Sequence, residues 1–290
     1  MAQHNADQVA DWNDQSGERW VAHQARLDAV MAAFGQAAIE AAAPATDECV
    51  LDVGCGAGAS SRDLAARVGS GGHVLGVDIS EPLIDRARAL VPQDTPALFQ
   101  VADASGAELP EGAFDILFSR FGVMFFDDPT VAFAHMRRAL KPGGRVAFVC
   151  WRGMAENDWV RLPMTAIKGI VPPTAPPDPE APGPFSFGDR ERVARILTAA
   201  GFTDIAIAPF DASIPFGEGA TRDMAIDDAV KMTFEVGPLS RMLADQPDDI
   251  RVRASAAVRH RAQSGATRYD KLASNFLSGV SLAATAAFWL

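Results

Sequence analysis

The sequence predicts a doubly wound α/β fold: a mostly parallel, seven-stranded sheet with helices on both faces and an inserted helical lid. Three observations predict it. Short apolar runs alternate with amphipathic stretches from about residue 49 to 150, the rhythm of strand–helix units in a parallel sheet. Runs such as CVLDV and RVAFV are apolar without interruption, as strands buried on both faces must be. A glycine-rich turn, Gly54-Cys-Gly-Ala-Gly58, joins the first of these runs to the helical stretch behind it.

In chain order, Trp20, Leu27, Val30, Met31, Phe34, Ala38 and Ile39 recur at helical spacing and stop before Pro44, predicting an N-terminal helical cap over 1–46. The main domain then runs over 47–290. Strands are expected at 49–53, 73–77, 97–101, 114–118 and 145–150, with helices at 59–68, 81–90 and 130–140 between them. Residues 151–188 break the rhythm: seven prolines lie between Val171 and Phe185, which neither a helix nor a central strand tolerates. Asp189 is placed to cap a helix running to about Ala200 and closed by Gly201, and FTDIAIAPF reads as a further strand. Helices with an apolar face of Met224, Ile226, Val230, Met232 and Phe234 follow over 221–264. A last strand is expected over 279–290. Lid insertions are therefore expected at about 151–188 and 215–275.

Composition narrows the class. With 48% apolar and 22% charged residues in 290, the chain builds a core without disulfides or a structural metal. Its formal net charge of −11 repels phosphate backbones, which argues against nucleic acid as a partner. The only basic concentration, Arg251, Arg253, Arg259, His260, Arg261 and Arg268, reads as a solvated helix face. Three widely spaced cysteines, Cys49, Cys55 and Cys150, form neither a disulfide framework nor a CxxC metal site, and point to a reducing, cytoplasmic setting. The N-terminal stretch lacks the pattern of a signal peptide. The C-terminal run GVSLAATAAFWL is too short to span a bilayer.

The chemistry centres on the glycine turn. Glycines let the backbone turn tightly and approach a ligand, and the helix behind offers unpaired N–H groups to an anion. A second strand, His73-Val-Leu-Gly-Val-Asp78, ends in an acid suited to both hydroxyls of a ribose. Nicotinamide-dinucleotide sites share that acid but use G-x-G-x-x-G. Here the order is G-x-G-x-G, preceded by Asp52. A carboxylate there repels a pyrophosphate and attracts an ammonium.

VLDVGCGAG, GVDIS, VADASGAELPEGAFDILFSRFGVMFF and LKPGGRVAFV, in that order over about 49–151, resemble the successive motifs of the class I S-adenosylmethionine (SAM)-dependent methyltransferases, with their Rossmann-like fold. The nearest branch is that of ubiquinone and menaquinone biosynthesis. The resemblance implies SAM as cofactor and methyl transfer to the O, N or C nucleophile of a small organic acceptor. Asp52 would hold the methionine ammonium, Gly54, Cys55 and Gly56 the amino-acid and ribose portion, and Asp78 the ribose hydroxyls. Ile79 would pack on the adenine, Asp103 would face its amino group and Ala104 would donate a backbone N–H. Ser119, Arg120 and Phe121 would line the sulfonium region.

Trp12 and Trp20 sit on the cap, where such families often cover bound SAM. Trp20 is the candidate for shielding the sulfonium, against the alternative of a core aromatic. His23, Arg120 and Trp151 are the candidates for a catalytic role. Arg152, Phe125 and Phe126 lie on the same rim. His135 reads as a surface residue, Lys141-Pro-Gly-Gly144 as a turn, Asp103 with Ser105 alternatively as a turn former, and Asp128 as an N-cap; no metal is assigned. The competing readings are a non-catalytic SAM-binding protein and a nicotinamide-dependent oxidoreductase.

Overall fold

The computed structural model describes residues 2–172, 178–264 and 275–286. Part of the expected proline-rich cover (173–177), part of the second insertion (265–274, with Arg268) and the end of the last expected strand (287–290) lie outside the described residues.

The elements run α1 (Ala2–Asn13), α2 (Gln15–Ala22), α3 (Gln24–Ala42), β1 (Cys49–Val53), α4 (Ala59–Val68), β2 (His73–Asp78), α5 (Glu81–Leu90), β3 (Ala97–Val101) and β4 (Phe114–Arg120). They continue with α6 (Pro129–Arg137), β5 (Leu140–Trp151), α7 (Asp158–Ala166), α8 (Arg190–Ala199), β6 (Thr203–Pro215), α9 (Arg222–Glu235), α10 (Pro238–Leu243), α11 (Asp248–Ser264) and β7 (Asn275–Ala286).

The chain divides into two compact units. One comprises 1–152, 179–210 and 280–290, the other 153–178 and 211–279. In the first, five parallel strands lie in the order β3-β2-β1-β4-β5. The chain winds outward from β1 through β2 to β3, then outward on the other side through β4 to β5. Right-handed crossovers therefore send the helices to opposite faces, and the order reverses between β1 and β4. Such a reversal opens a crevice at the strands' C-terminal ends. β7 runs antiparallel along the other side of β5, with Cys150 opposite Ser281.

Local chemistry explains the boundaries. Asp128 caps α6 by accepting from the Val131 N–H at 3.0 Å, and Asp189 caps α8 by accepting from Glu191 at 2.9 Å. The core of this unit is apolar and aromatic: Phe34, Leu51, Ile116, Leu117, Phe118, Phe133 and Phe148 are all fully buried. Arg145 clamps its base. The guanidinium donates to both carboxylate oxygens of Glu48 (2.8 Å each) and to the carbonyls of Ala42 and Ala43, where α3 ends.

In the second unit α7, α9, α10 and α11 pack around Ile167, Val171, Ile226, Val230, Leu239, Leu243, Ala254 and Val258.

Helix α7 falls within the insertion expected at 151–188, ahead of its proline run. Three expectations need correcting. β5 begins at Leu140, because Lys141-Pro-Gly-Gly144 forms an irregularity within the strand: Phe114 pairs with Leu140, and the next partner of β4, Ile116, pairs with Arg145. Met224, assigned to an apolar face, is 55% exposed while Ile226 and Val230 are buried. His135 is not a free surface residue. Its Nε2 meets the Ala107 carbonyl at 2.8 Å and its Nδ1 meets Arg138 at 2.7 Å, tying α6 to the turn that follows β3.

Candidate functional site

The site forms where β1 and β4 diverge. Val53 ends β1, and Gly54, Gly56 and Gly58 all take left-handed φ angles (+66°, +55° and +76°). At Gly54 the requirement is also spatial: a Cβ there would lie 2.6 Å from Cα of Gly122, which follows β4. Gly56 differs, since a Cβ there would meet nothing within 4 Å, so that side of the loop is open. The N–H groups of Gly54 and Cys55 bond the Val77 carbonyl, pinning the loop to β2.

Three acids surround this loop. Asp52 is fully buried in β1. Its Oδ2 accepts from Ser60 Oγ (2.8 Å) and Ser61 Oγ (2.6 Å), both in the first turn of α4. Its Oδ1 is buried with no hydrogen-bond partner. Burial raises its pKa from 3.8 to about 6, against the opposing pull of Ser61, Ser60 and the Arg120 charge. Asp78, half-buried at the end of β2, accepts from Gly56 N–H at Oδ2 (2.8 Å) and from Ser80 N–H at Oδ1 (2.9 Å). Desolvation raises its pKa too, in spite of those backbone bonds. Each oxygen keeps a second lone pair able to accept. Asp103 accepts from both N–H and Oγ of Ser105 (2.9 and 2.7 Å), so the turn-forming alternative describes at least part of what it does. Ala104 beside it is buried.

Ser119 and Arg120, at the end of β4, each bond to another part of the protein. Ser119 is fully buried; its Oγ donates to the Val53 carbonyl (2.7 Å) and accepts from Gly122 N–H (3.1 Å). Its hydroxyl locks the two diverging strand ends together. Arg120 points into an ion pair with Asp28 of α3 at 2.7 Å, and Gln24 donates to the other Asp28 oxygen. A guanidinium already held by a carboxylate is a poor candidate for handling substrate.

Phe121 also departs from ordinary backbone, a non-glycine residue at φ +64°. Its ring stacks on Trp151 (centroids 4.3 Å apart, planes 16° apart), and Phe34 meets both edge-on at 5.9 and 5.3 Å. The ends of β4 and β5 thus carry one aromatic cluster, which offsets the cost of the strained backbone. Cys55 is buried in the loop, and its thiol is raised well above its usual pKa by that burial.

The cap is attached directly beside Asp78. Ser80 Oγ donates to the Trp12 carbonyl (2.7 Å), Asn13 Nδ2 donates to the Ile79 carbonyl (2.9 Å), and Asn13 Oδ1 accepts from Glu81 N–H (2.9 Å). Trp20 packs edge-on against Trp12 (5.5 Å), and Trp12 against Phe125 (5.7 Å). His23 forms the joint between α2 and α3. Phe126 packs instead on Phe133. Ser60, Ser61, Asp28, Asn13 and Ser80 were not singled out from the sequence. The serines alone had a signal, their position just behind the glycine turn. Among the described residues no cluster of His, Cys, Asp and Glu is arranged to hold a metal ion.

Residues 51–148 match the family model described as a methyltransferase domain. The 2-methyl-6-phytyl-1,4-hydroquinone methyltransferase of Synechocystis is 31% identical over 197 residues, which are 66% of this chain and 57% of that protein. The demethylmenaquinone methyltransferase of Clavibacter sepedonicus is 36% identical over 110 residues, 38% of this chain and 44% of that one. The chain thus spans about half the length of these relatives. Among solved structures, a putative methyltransferase from an antibiotic biosynthesis pathway of Anabaena variabilis aligns with a TM-score of 0.60 at 15% identity, covering 87% of this chain and 96% of that one. That likeness shows a shared fold.

Proposed function

We propose, from the match of residues 51–148 to a methyltransferase domain, that this chain is a class I SAM-dependent methyltransferase and transfers a methyl group from SAM to a small organic acceptor. The observation that carries the reading is the orphaned, buried Oδ1 of Asp52 beside a glycine loop whose Gly56 faces open space. A buried carboxylate oxygen without a partner is costly unless a ligand completes it, and the α-ammonium of SAM has the right charge. A pyrophosphate there would meet repulsion.

In this reading Asp52 holds the ammonium, Gly54, Cys55 and Gly56 with the N-terminus of α4 frame the amino-acid portion, and Asp78 accepts from the ribose hydroxyls. Ile79, Asp103 and Ala104 border the adenine. Phe121 lines the sulfonium region, and Trp20, with Trp12, closes the cap side. When bound, SAM supplies a methyl group on a sulfonium, open to in-line displacement. The chain's part is alignment and the exclusion of water, which the Phe34–Phe121–Trp151 cluster serves. His23 and Trp151 remain the candidates for contact with the acceptor.

Relatives named for a phytyl-hydroquinone and a demethylmenaquinone support an acceptor that is aromatic and partly hydrophobic. The net charge of −11 supports a small molecule over nucleic acid. The order β3-β2-β1-β4-β5-β7-β6 supports a seven-stranded sheet. Three free cysteines support a cytoplasmic setting, and no helix among the described residues is long and apolar enough to cross a membrane.

Calorimetric titration with SAM and S-adenosylhomocysteine, with NADH as control, tests the reading. Both sulfur ligands bind and NADH does not; Asp78→Ala weakens binding roughly ten- to a hundredfold, as loss of charge-assisted bonds requires. Binding of NADH alone would instead favour the oxidoreductase.

A further inference from the structure

We propose that Ser60 and Ser61 are positioning residues of the cofactor site: by jointly occupying Oδ2 of Asp52 they hold the carboxylate ionised and oriented, leaving Oδ1 as its one open acceptor. The inference rests on the assignment of Asp52 to the ammonium group.

The geometry is specific. Both hydroxyls donate to the same oxygen, at 2.8 and 2.6 Å, and all three residues are buried. A serine hydroxyl has a single proton to give, so two donors on one oxygen stabilise the charged form in a way that a protonated carboxyl would not need. The bond-free oxygen of the same carboxylate is also buried. Without the serines the carboxylate could rotate to exchange its oxygens, or take up a proton and meet an ammonium as a neutral acid.

The surrounding charges do not do this work alone. Arg120 on β4 favours ionisation, but it is committed to Asp28 of α3; Asp78 on β2 opposes ionisation, and the Cys55 thiol in the loop is neutral. Burial has already lifted Asp52 to about 6, within reach of physiological pH. Each hydroxyl removed lifts it further by about one pH unit.

The test uses Ser60→Ala, Ser61→Ala and the double variant. Each is titrated with S-adenosylhomocysteine and with 5′-methylthioadenosine, which keeps the adenosine and lacks the ammonium, at about pH 7 and pH 8.5. The Asp52 carboxyl is followed by carbon NMR in the ligand-free proteins. The double variant binds S-adenosylhomocysteine about tenfold more weakly at pH 7 and recovers most of that at higher pH, as a carboxyl lifted by two bonds requires. Methylthioadenosine binding is unchanged at both. The single variants, half ionised at pH 7, bind about twofold more weakly there and keep the test valid if the double variant does not fold. A loss of equal size at every pH, a loss shared by methylthioadenosine, or an unmoved Asp52 titration overturns the proposal. A parent protein that binds neither SAM nor S-adenosylhomocysteine sinks the cofactor reading itself. A parent that binds both while the serine variants bind equally well sinks this inference alone.

Discussion

Gly56 donates its backbone N–H to Oδ2 of Asp78 at 2.8 Å, so the tip of the first loop and the acid ending the second strand form one unit. An acid at this point therefore shapes the loop before any ligand arrives. Four outcomes follow from this and neighbouring contacts.

Gly54→Ala and Gly56→Ala separate folding from binding. Both glycines sit at positive φ, which costs an alanine about 1–2 kcal/mol. At Gly54 the new methyl also strikes Gly122, and the strand ends must part, so the protein is strongly destabilised. At Gly56 it enters open space. That variant keeps its fold, with only the backbone cost in urea unfolding, yet loses SAM affinity in calorimetry.

Asp52→Asn changes how stability depends on pH. The folded-state pKa of Asp52 is raised from 3.8 to about 6, so its protonated form favours folding. That contribution is full below about 3.8 and is lost as pH rises through 6. Relative to Asp52→Asn, the ligand-free parent therefore loses about 3 kcal/mol between pH 3.5 and 7.5. Urea melts across that range check it; parallel curves would show that Asp52 carries no such penalty.

Glu48→Gln loosens the Arg145 clamp. The side-chain bond to Arg145 holds the Glu48 pKa below its usual 4.5, so its stabilisation is present above 4.5 and disappears as pH falls through the lowered value. Partial exposure screens the pair, so the loss is about 1 kcal/mol at neutral pH and shrinks in acid. Thermal melts at pH 7 and pH 4 read it. SAM affinity stays unchanged, because the clamp lies at the opposite strand ends.

Asn13→Ala unfastens the cap. It strips partners from the Ile79 carbonyl and the Glu81 N–H. Proteolysis in the first helices accelerates, and bound S-adenosylhomocysteine dissociates about fivefold faster, the rate equivalent of ~1 kcal/mol. Equal dissociation rates would mean that the cap does not hold the ligand.

The parallel strands and the acids at their ends were legible in the sequence because both depend on local pattern: continuous apolar runs for burial on two faces, and a polar residue where a run stops. The contacts of Arg120 and Ser119 were not legible, for the opposite reason. Their partners Asp28 and Val53 lie 92 and 66 positions away, and no local pattern announces such pairs. The start of β5 was missed because Lys141-Pro-Gly-Gly144 has turn chemistry, although a strand can absorb those residues as an irregularity.

The antiparallel partner of β5 lies about 120 residues further along the chain than Trp151. Ribosomes add ~5–20 residues per second, so roughly 6–25 s pass between the emergence of the two strands. Throughout that interval the outer edge of β5, with Val146, Phe148 and Cys150, has unpaired backbone groups along an apolar strand. The newborn chain is most exposed to chaperones and to aggregation in this window. Slowing translation beyond Trp151 would lengthen its hazard without changing a single amino acid.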